Sequence, residues 1–166
     1  MPYYFAYGSN MNPARVEARI GDTRRALSGV LVDHVLRFDK ASKVPGISHA
    51  NVAPRKGARV EGALFELMSP DQIHDMDPFE GHPDDYRRHR LPIETAEGVI
   101  EAWVYIATPG TTADALRPAR EYLEHLLCGQ VFLSAEYHAR LTEVPAVAGL
   151  DEESLAALGL SRYHPR

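Results

Sequence analysis

The sequence predicts an α+β fold or a small mixed barrel in place of a doubly wound parallel sheet. Strand-like runs come early and read as mostly antiparallel, helical patterns are inserted among them, and further helices trail toward the C-terminus. Two late runs flank Glu97-Gly98, a hairpin signal that parallel crossovers do not use.

Tyr3 to Ala6 is short, aromatic-rich and stopped by Gly8, so it reads as a buried strand. Asn12-Pro13 supplies an N-cap and a first-turn proline for a helix over Pro13–Ile20, ended by Gly21. Ala26 to Phe38 alternates and carries Val30, Val32 and Val35, which favour a strand. Lys40 to Gly57 holds Pro45, Gly46 and Pro54 and reads as a long loop, a place where functional groups concentrate. Arg59 to Leu67 alternates with neither face purely polar, as a central strand does. Ser69-Pro70 opens a helix that stops near Gly81. Tyr86–Glu94 and Val99–Ala107 are the hairpin arms. Leu116–Leu127 has helical apolar spacing and ends at Gly129; Ser134 caps Ala135–Leu141, and Asp151 caps Glu152–Leu158. No repeat or linker divides the 166 residues, so one domain over 1–144 is expected, with 145–166 as an appendage carrying a short helix.

Composition narrows the function classes. The chain is 45% hydrophobic and 25% charged, as ordinary globular proteins are. A net charge of −5 lacks the basic footprint of nucleic-acid binding. No apolar run approaches the roughly 18–20 residues that span a bilayer, so no membrane partner is expected. One cysteine, Cys128, fits a reducing compartment, and Met1-Pro2-Tyr3-Tyr4 lacks the basic start of a signal peptide; a cytoplasmic setting is expected. Eight histidines form no His-x-x-x-His or Glu-x-x-His pair on a helical pattern, so no metal is expected. Cys128 reads as a packing residue, and Arg87-Arg88-His89-Arg90 as a solvated strand edge.

Two stretches carry chemistry. Tyr7-Gly8-Ser9-Asn10 follows a strand and precedes a helix. Such a glycine turn can point successive N–H groups at an anion, or serve only as a turn. It lacks the Lys-Ser/Thr of a phosphate loop, and Ser9 lacks the Gly-x-Ser-x-Gly elbow of a hydrolase nucleophile. Phe79-Glu80-Gly81 sets one carboxylate between an aromatic ring and a glycine. Held partly out of water, Glu80 suits a general acid/base; otherwise it is an exposed helix end.

Taken together, these residues resemble the γ-glutamylcyclotransferase superfamily, including its AIG2-like members. The resemblance runs over about residues 3–143 through four blocks in order. These are Tyr7-Gly8-Ser9-Asn10-Met11; Ala50-Asn51-Val52-Ala53-Pro54 with Val60-Glu61-Gly62; Asp77-Pro78-Phe79-Glu80-Gly81 with Tyr86-Arg87; and Tyr122-Leu123 with Gly129 and Ala135-Glu136-Tyr137. It implies a small mixed β-barrel with flanking helices. It also implies an intramolecular acyl transfer, in which the α-amine of a γ-glutamyl amino acid or amine attacks its own γ-carbonyl and releases 5-oxoproline. No cofactor is implied. Glu80 would be the catalytic base and acid. Tyr7, Gly8, Ser9, Asn10, Met11, Asn12 and Tyr122 would bind substrate, with Tyr86, Tyr105 and Asn51 at the wall and rim. The expected partner is that small molecule, in a monomer or homodimer. A non-catalytic binding module and an amide hydrolase are the competing readings. One departure stands out: Pro118-Ala119 replaces the Pro-Ser of many members, which removes a hydroxyl helix cap.

Overall fold

The structure, a computed structural model, describes residues 2–161. The first strand, β1 (Tyr3–Ala6), finds partners on both sides, and this closes the sheet. It pairs antiparallel with β3 (Ile47–Glu66), from Tyr3↔Glu66 to Ala6↔Ala63, and parallel with β5 (Gly98–Ala107) at Tyr4↔Trp103. β2 (Arg25–Ala41) and β3 form a long hairpin from Arg25↔Glu66 to Ala41↔Ser48. β4 (Tyr86–Thr95) and β5 form a second, from Tyr86↔Ala107 to Thr95↔Gly98, and β2 meets β4 at Val30↔Glu94. The order β1-β5-β4-β2-β3 returns to β1, a closed five-stranded mixed barrel, and β6 (Arg117–Pro118) lies parallel beside β3.

Closure leaves little interior, and side-chain size is matched to it. Phe5, Leu64, Ile93 and Val104 are fully buried there. Gly29 and Gly62 face each other across β2 and β3 because Phe5 fills the space between. A Cβ on Gly62 would stand 2.3 Å from the Ala6 carbonyl oxygen and 2.9 Å from the Phe5 ring. One on Gly29 would stand 2.7 Å from Ile93.

Among the described residues five α-helices flank the barrel: α1 (Pro13–Ile20), α2 (Ile73–Glu80), α3 (Arg120–Leu127), α4 (Ala135–Thr142) and α5 (Glu152–Ala157). Asn12, Ser134 and Asp151 cap α1, α4 and α5 through side-chain oxygens, as their sequence positions predict. Ala119, the N-cap residue of α3, gives that helix no side-chain cap, consistent with the missing hydroxyl.

Several local expectations change. Lys40–Gly57 is mostly strand, with only 42–46 between β2 and β3. Cross-strand pairing overrides the proline and glycine signals: Pro45 and Gly46 fall in that connection, and Pro54 and Gly57 at a register break. At one break Gly57, with φ 84°, donates its N–H to Asp33 Oδ1 at 2.9 Å. The helix expected from Leu116 begins at Arg120, since Arg117–Pro118 pairs with Ile47 and Ser48. Ser69 makes no cap bond; a 3-10 turn over Pro70–Gln72 precedes α2, and Gln72 Oε1 accepts the Met68 N–H at 2.7 Å. Cys128 is exposed, not packed. Arg88 is not on a solvated edge: it chelates Asp77 at 2.9 and 3.2 Å and lies over Trp103.

The Gly62 contacts predict that Gly62→Ala lowers the unfolding free energy by about 1–3 kcal/mol through overpacking. Urea denaturation should show this as a lower midpoint with an unchanged slope.

Candidate active site

A cavity of about 560 Å³ opens where the end of β1, α1, the tip of the β2–β3 hairpin and the end of α2 converge. The glycine turn and Glu80 both line it, so the two chemistry-bearing stretches share one space.

The turn enters first. Gly8 precedes a 3-10 turn over Ser9–Met11, whose opening N–H groups have no intrahelical partner. Glycine is required at position 8 by close approach: a Cβ would sit 2.9 Å from the Tyr122 hydroxyl and 3.3 Å from Ala50 Cβ. Asn10 turns inward. Its Nδ2 donates to Tyr4 Oη at 2.9 Å and Glu80 Oε1 at 3.3 Å, and its Oδ1 accepts from Arg19 Nη1 at 3.4 Å.

Glu80 is the last residue of α2, and Gly81 ends that helix in the left-handed conformation at φ 61°. Asp77, one turn earlier, anchors the helix end by accepting from Arg88 of β4 and, at 2.7 Å, from the Tyr105 hydroxyl of β5. Burial pushes the Asp77 carboxyl up, but those bonds outweigh it and hold it below the usual range. Glu80 has no such cation bonded to it. Burial raises its pKa above the ordinary glutamate value, with Arg19 and Arg15 pulling the other way.

Backbone geometry builds the opposite wall. Ala50 falls in a bulge between Arg37↔Asn51 and Lys40↔His49, which takes its peptide out of the ladder. Tyrosines replace the strand partner. Tyr122 Oη of α3 accepts the Ala50 N–H at 3.0 Å, and Tyr86 Oη of β4 donates to the Ala50 carbonyl at 2.6 Å. Tyr7 Oη donates to the Tyr105 carbonyl at 2.5 Å. Burial raises the pKa of Tyr4, Tyr7, Tyr86 and Tyr122, so these hydroxyls keep their protons at neutral pH. His49, beside the Tyr122 ring, is brought down to about 4 by burial and is neutral.

Of the residues expected at the site, Tyr7, Gly8, Ser9, Asn10, Glu80, Tyr86, Tyr105 and Tyr122 line the cavity. Met11, Asn12 and Asn51 do not. Met11 is fully buried behind the turn against Gly129. Asn12 caps α1 and bonds His125 at 3.0 Å. Asn51 ties Asp39 to the Ala107 N–H, at 3.2 and 3.0 Å. Each supports a neighbour of the site through the backbone or the core.

Sequence reasoning missed Arg15 and Arg19, which α1 projects into the cavity, and Ala156–Gly159 at its edge. The arginine spacing of four residues on one helix face was the available signal. Lys40 and Lys43 also line the cavity. Among the described residues no cluster of three or more His, Cys, Asp or Glu could hold a metal, and no helix is long and apolar enough to cross a membrane.

Comparison with known proteins agrees with this geometry. A family model described as gamma-glutamyl cyclotransferase, AIG2-like, matches residues 4–125. The solved structure of a gamma-glutamyl cyclotransferase superposes with a TM-score of 0.75 at 22% identity, covering 95% of this chain and 97% of that one. A crystal structure of a Homo sapiens protein does so with a TM-score of 0.75 at 23% identity, covering 94% and 96%. At these identities the likeness establishes the fold. The chain is also 28% identical, over 142 residues, to part of a protein named serine hydroxymethyltransferase from Rippkaea orientalis (strain PCC 8801 / RF-1). The match takes in 78% of this chain, which spans only 33% of that curated relative. With most of its length matched by the family model and its closed barrel shared with these structures, the chain belongs to the gamma-glutamyl cyclotransferase, AIG2-like family.

Proposed function

We propose that this protein is a γ-glutamyl cyclotransferase that converts a γ-glutamyl amino acid or amine to 5-oxoproline and the free amine. The observation that carries this reading is Glu80: a half-buried carboxylate with a raised proton affinity, bonded by Asn10, in the same cavity as the Gly8–Asn10 turn.

The chemistry follows from those positions. Glu80, ionised, takes a proton from the substrate α-ammonium and frees its lone pair. The nitrogen attacks the γ-carbonyl, a C–N bond forms, and the carbonyl oxygen gains negative charge. Holding both ends of the glutamyl chain in one folded pose supplies much of the rate. Donors set in place stabilise the oxyanion: the turn's N–H groups and the Tyr122 hydroxyl, whose proton has no acceptor among the described residues. The intermediate collapses by breaking the original amide bond, and Glu80 returns its proton to the departing nitrogen. Burial raises the Glu80 pKa toward the operating pH, which suits a group that both accepts and donates. No external water or cofactor enters the balance. The lone cysteine agrees with a reducing, cytoplasmic setting.

Mass spectrometry of the products tests this directly. Glu80→Gln keeps the shape and the Asn10 bond but removes the proton carrier, so 5-oxoproline formation should fall about 10²–10⁴-fold. Undiminished turnover in that variant refutes the mechanism, and glutamate in place of 5-oxoproline assigns hydrolysis instead.

The raised Glu80 pKa makes two pH predictions. The acid limb of kcat/KM should lie above the ordinary glutamate value of 4.5. For stability, the folded protein holds the Glu80 proton more tightly than the unfolded chain. This group therefore favours folding at low pH and loses that contribution as pH rises through the raised pKa. Glu80→Gln should accordingly have a higher Tm than wild type at pH 7, a gap that closes on acidification below the ordinary glutamate value. Thermal melts across pH check the sign.

A further inference from the structure

The cavity is cationic in a chain of net charge −5. Arg15, Arg19, Lys40 and Lys43 line it, against Glu80 and Asp85. Lys40 is matched, Nζ to Asp85 Oδ1 at 3.3 Å. The two arginines are not. Among the described residues neither has a carboxylate within ion-pair distance. Arg15 donates to Ser9 Oγ at 3.2 Å and the Gly159 carbonyl at 3.1 Å, and Arg19 to Asn10 Oδ1 at 3.4 Å. Arg15 is only 5% exposed, and although burial brings its pKa down to about 10, it is charged at neutral pH. Buried guanidinium groups are ordinarily paired, because an uncompensated charge out of water is costly. Arg15 is buried and Arg19 half-buried, its guanidinium 4.9 Å from the centre of the Phe79 ring, and such a pair beside an open cavity suits an anion carried by the ligand.

The C-terminal segment shapes the space around them. Leu155, Leu158 and Leu160 are buried and hold it in place. Gly159 presents bare backbone to both guanidinium groups: a Cβ there would lie 3.8 Å from Arg15 Nη2 and 3.9 Å from Arg19 Nη2. Ala156 and Ala157 add only small side chains to the cavity edge. This wall lies beyond residues 4–125, the stretch the family model matches.

We propose that Arg15 and Arg19, walled by residues 156–159, form a subsite for a carboxylate on the leaving amine. The preferred substrates are then γ-glutamyl amino acids or peptides over γ-glutamyl derivatives of simple alkylamines. The inference rests on the cyclotransferase reading and deepens it. A γ-glutamyl amino acid carries two carboxylates. One shares its carbon with the reacting α-amine and belongs near Glu80 and the glycine turn. The second leaves with the amine and has two guanidinium groups to meet.

A matched pair of compounds isolates that second carboxylate: γ-glutamyl-L-alanine and γ-glutamylethylamine differ only by its presence. Wild type should favour the alanine compound in kcat/KM by about 10–100-fold, the scale of a hydrogen-bonded charge pair. Arg19→Gln should collapse the ratio toward one. Ala157→Glu, at an exposed edge position, should lower it by setting a competing carboxylate beside the guanidinium groups, and it decides the matter if thermal melts show Arg19→Gln to be unfolded. Equal use of both compounds by wild type overturns the subsite, as does a ratio that neither variant changes. Equal slowing of both compounds by Arg19→Gln also overturns it, because it assigns the guanidinium to the shared α-carboxylate. Absence of 5-oxoproline from both compounds refutes the reaction instead. Calorimetry then judges the subsite alone: tighter binding of the alanine compound, lost in Arg19→Gln, supports it, and equal binding overturns it.

Discussion

The peptide of Ala50 holds the site together. A bulge in the β2–β3 hairpin removes it from the strand ladder, and two tyrosine hydroxyls from distant elements take its N–H and its carbonyl. Buried backbone groups without partners are costly, so these bonds are constraints as well as attractions. They fix α3 and β4 against β3, and they place the Tyr122 hydroxyl so close to position 8 that only glycine fits there. The shape of the glycine turn is thus set from the opposite wall of the cavity.

A second constraint orients the carboxylate. Asp77 and Glu80 lie one turn apart on α2 but meet opposite environments. Asp77 is tied to Arg88 and Tyr105 and is held ionised as a structural anchor. Glu80 accepts a neutral amide from Asn10 and is left with a raised proton affinity. The same residue class is held ionised at one position and given a raised proton affinity at the other because the partners differ, not because the helix does. Arg15 and Arg19 stand near enough to oppose the burial that raises Glu80, so the cavity's charge tunes that carboxylate. Barrel closure supports all of this: Phe5, accommodated by Gly29 and Gly62, fixes β1 and therefore the turn that follows it.

Much of this was legible in the residue order. The aromatic strand at Tyr3–Ala6, the Asn12-Pro13 helix start and the hairpin around Glu97-Gly98 follow from local sterics and hydrogen bonding, which act over a few residues. The joint presence of the glycine turn and the Glu80 block marked the two halves of the site. The Lys40–Gly57 stretch misled because its prolines and glycines are breakers locally, whereas in the fold Pro45 and Gly46 only turn a long paired hairpin and Pro54 and Gly57 sit at a register break within it. Asn51 and Met11 belong to the right segments but face away from the cavity, a matter of register and packing that spacing does not encode.

By itself the sequence determined most element types, the side-chain caps of α1, α4 and α5 and the carboxylate at position 80, since these depend on neighbours along the chain. Only the tertiary structure decided that α1 turns Arg15 and Arg19 toward Glu80, and that residues 156–159 return to wall the same cavity. Those contacts join residues far apart in the chain. Their geometry comes from barrel closure and from Leu155, Leu158 and Leu160 packing into the core, neither of which local pattern can place.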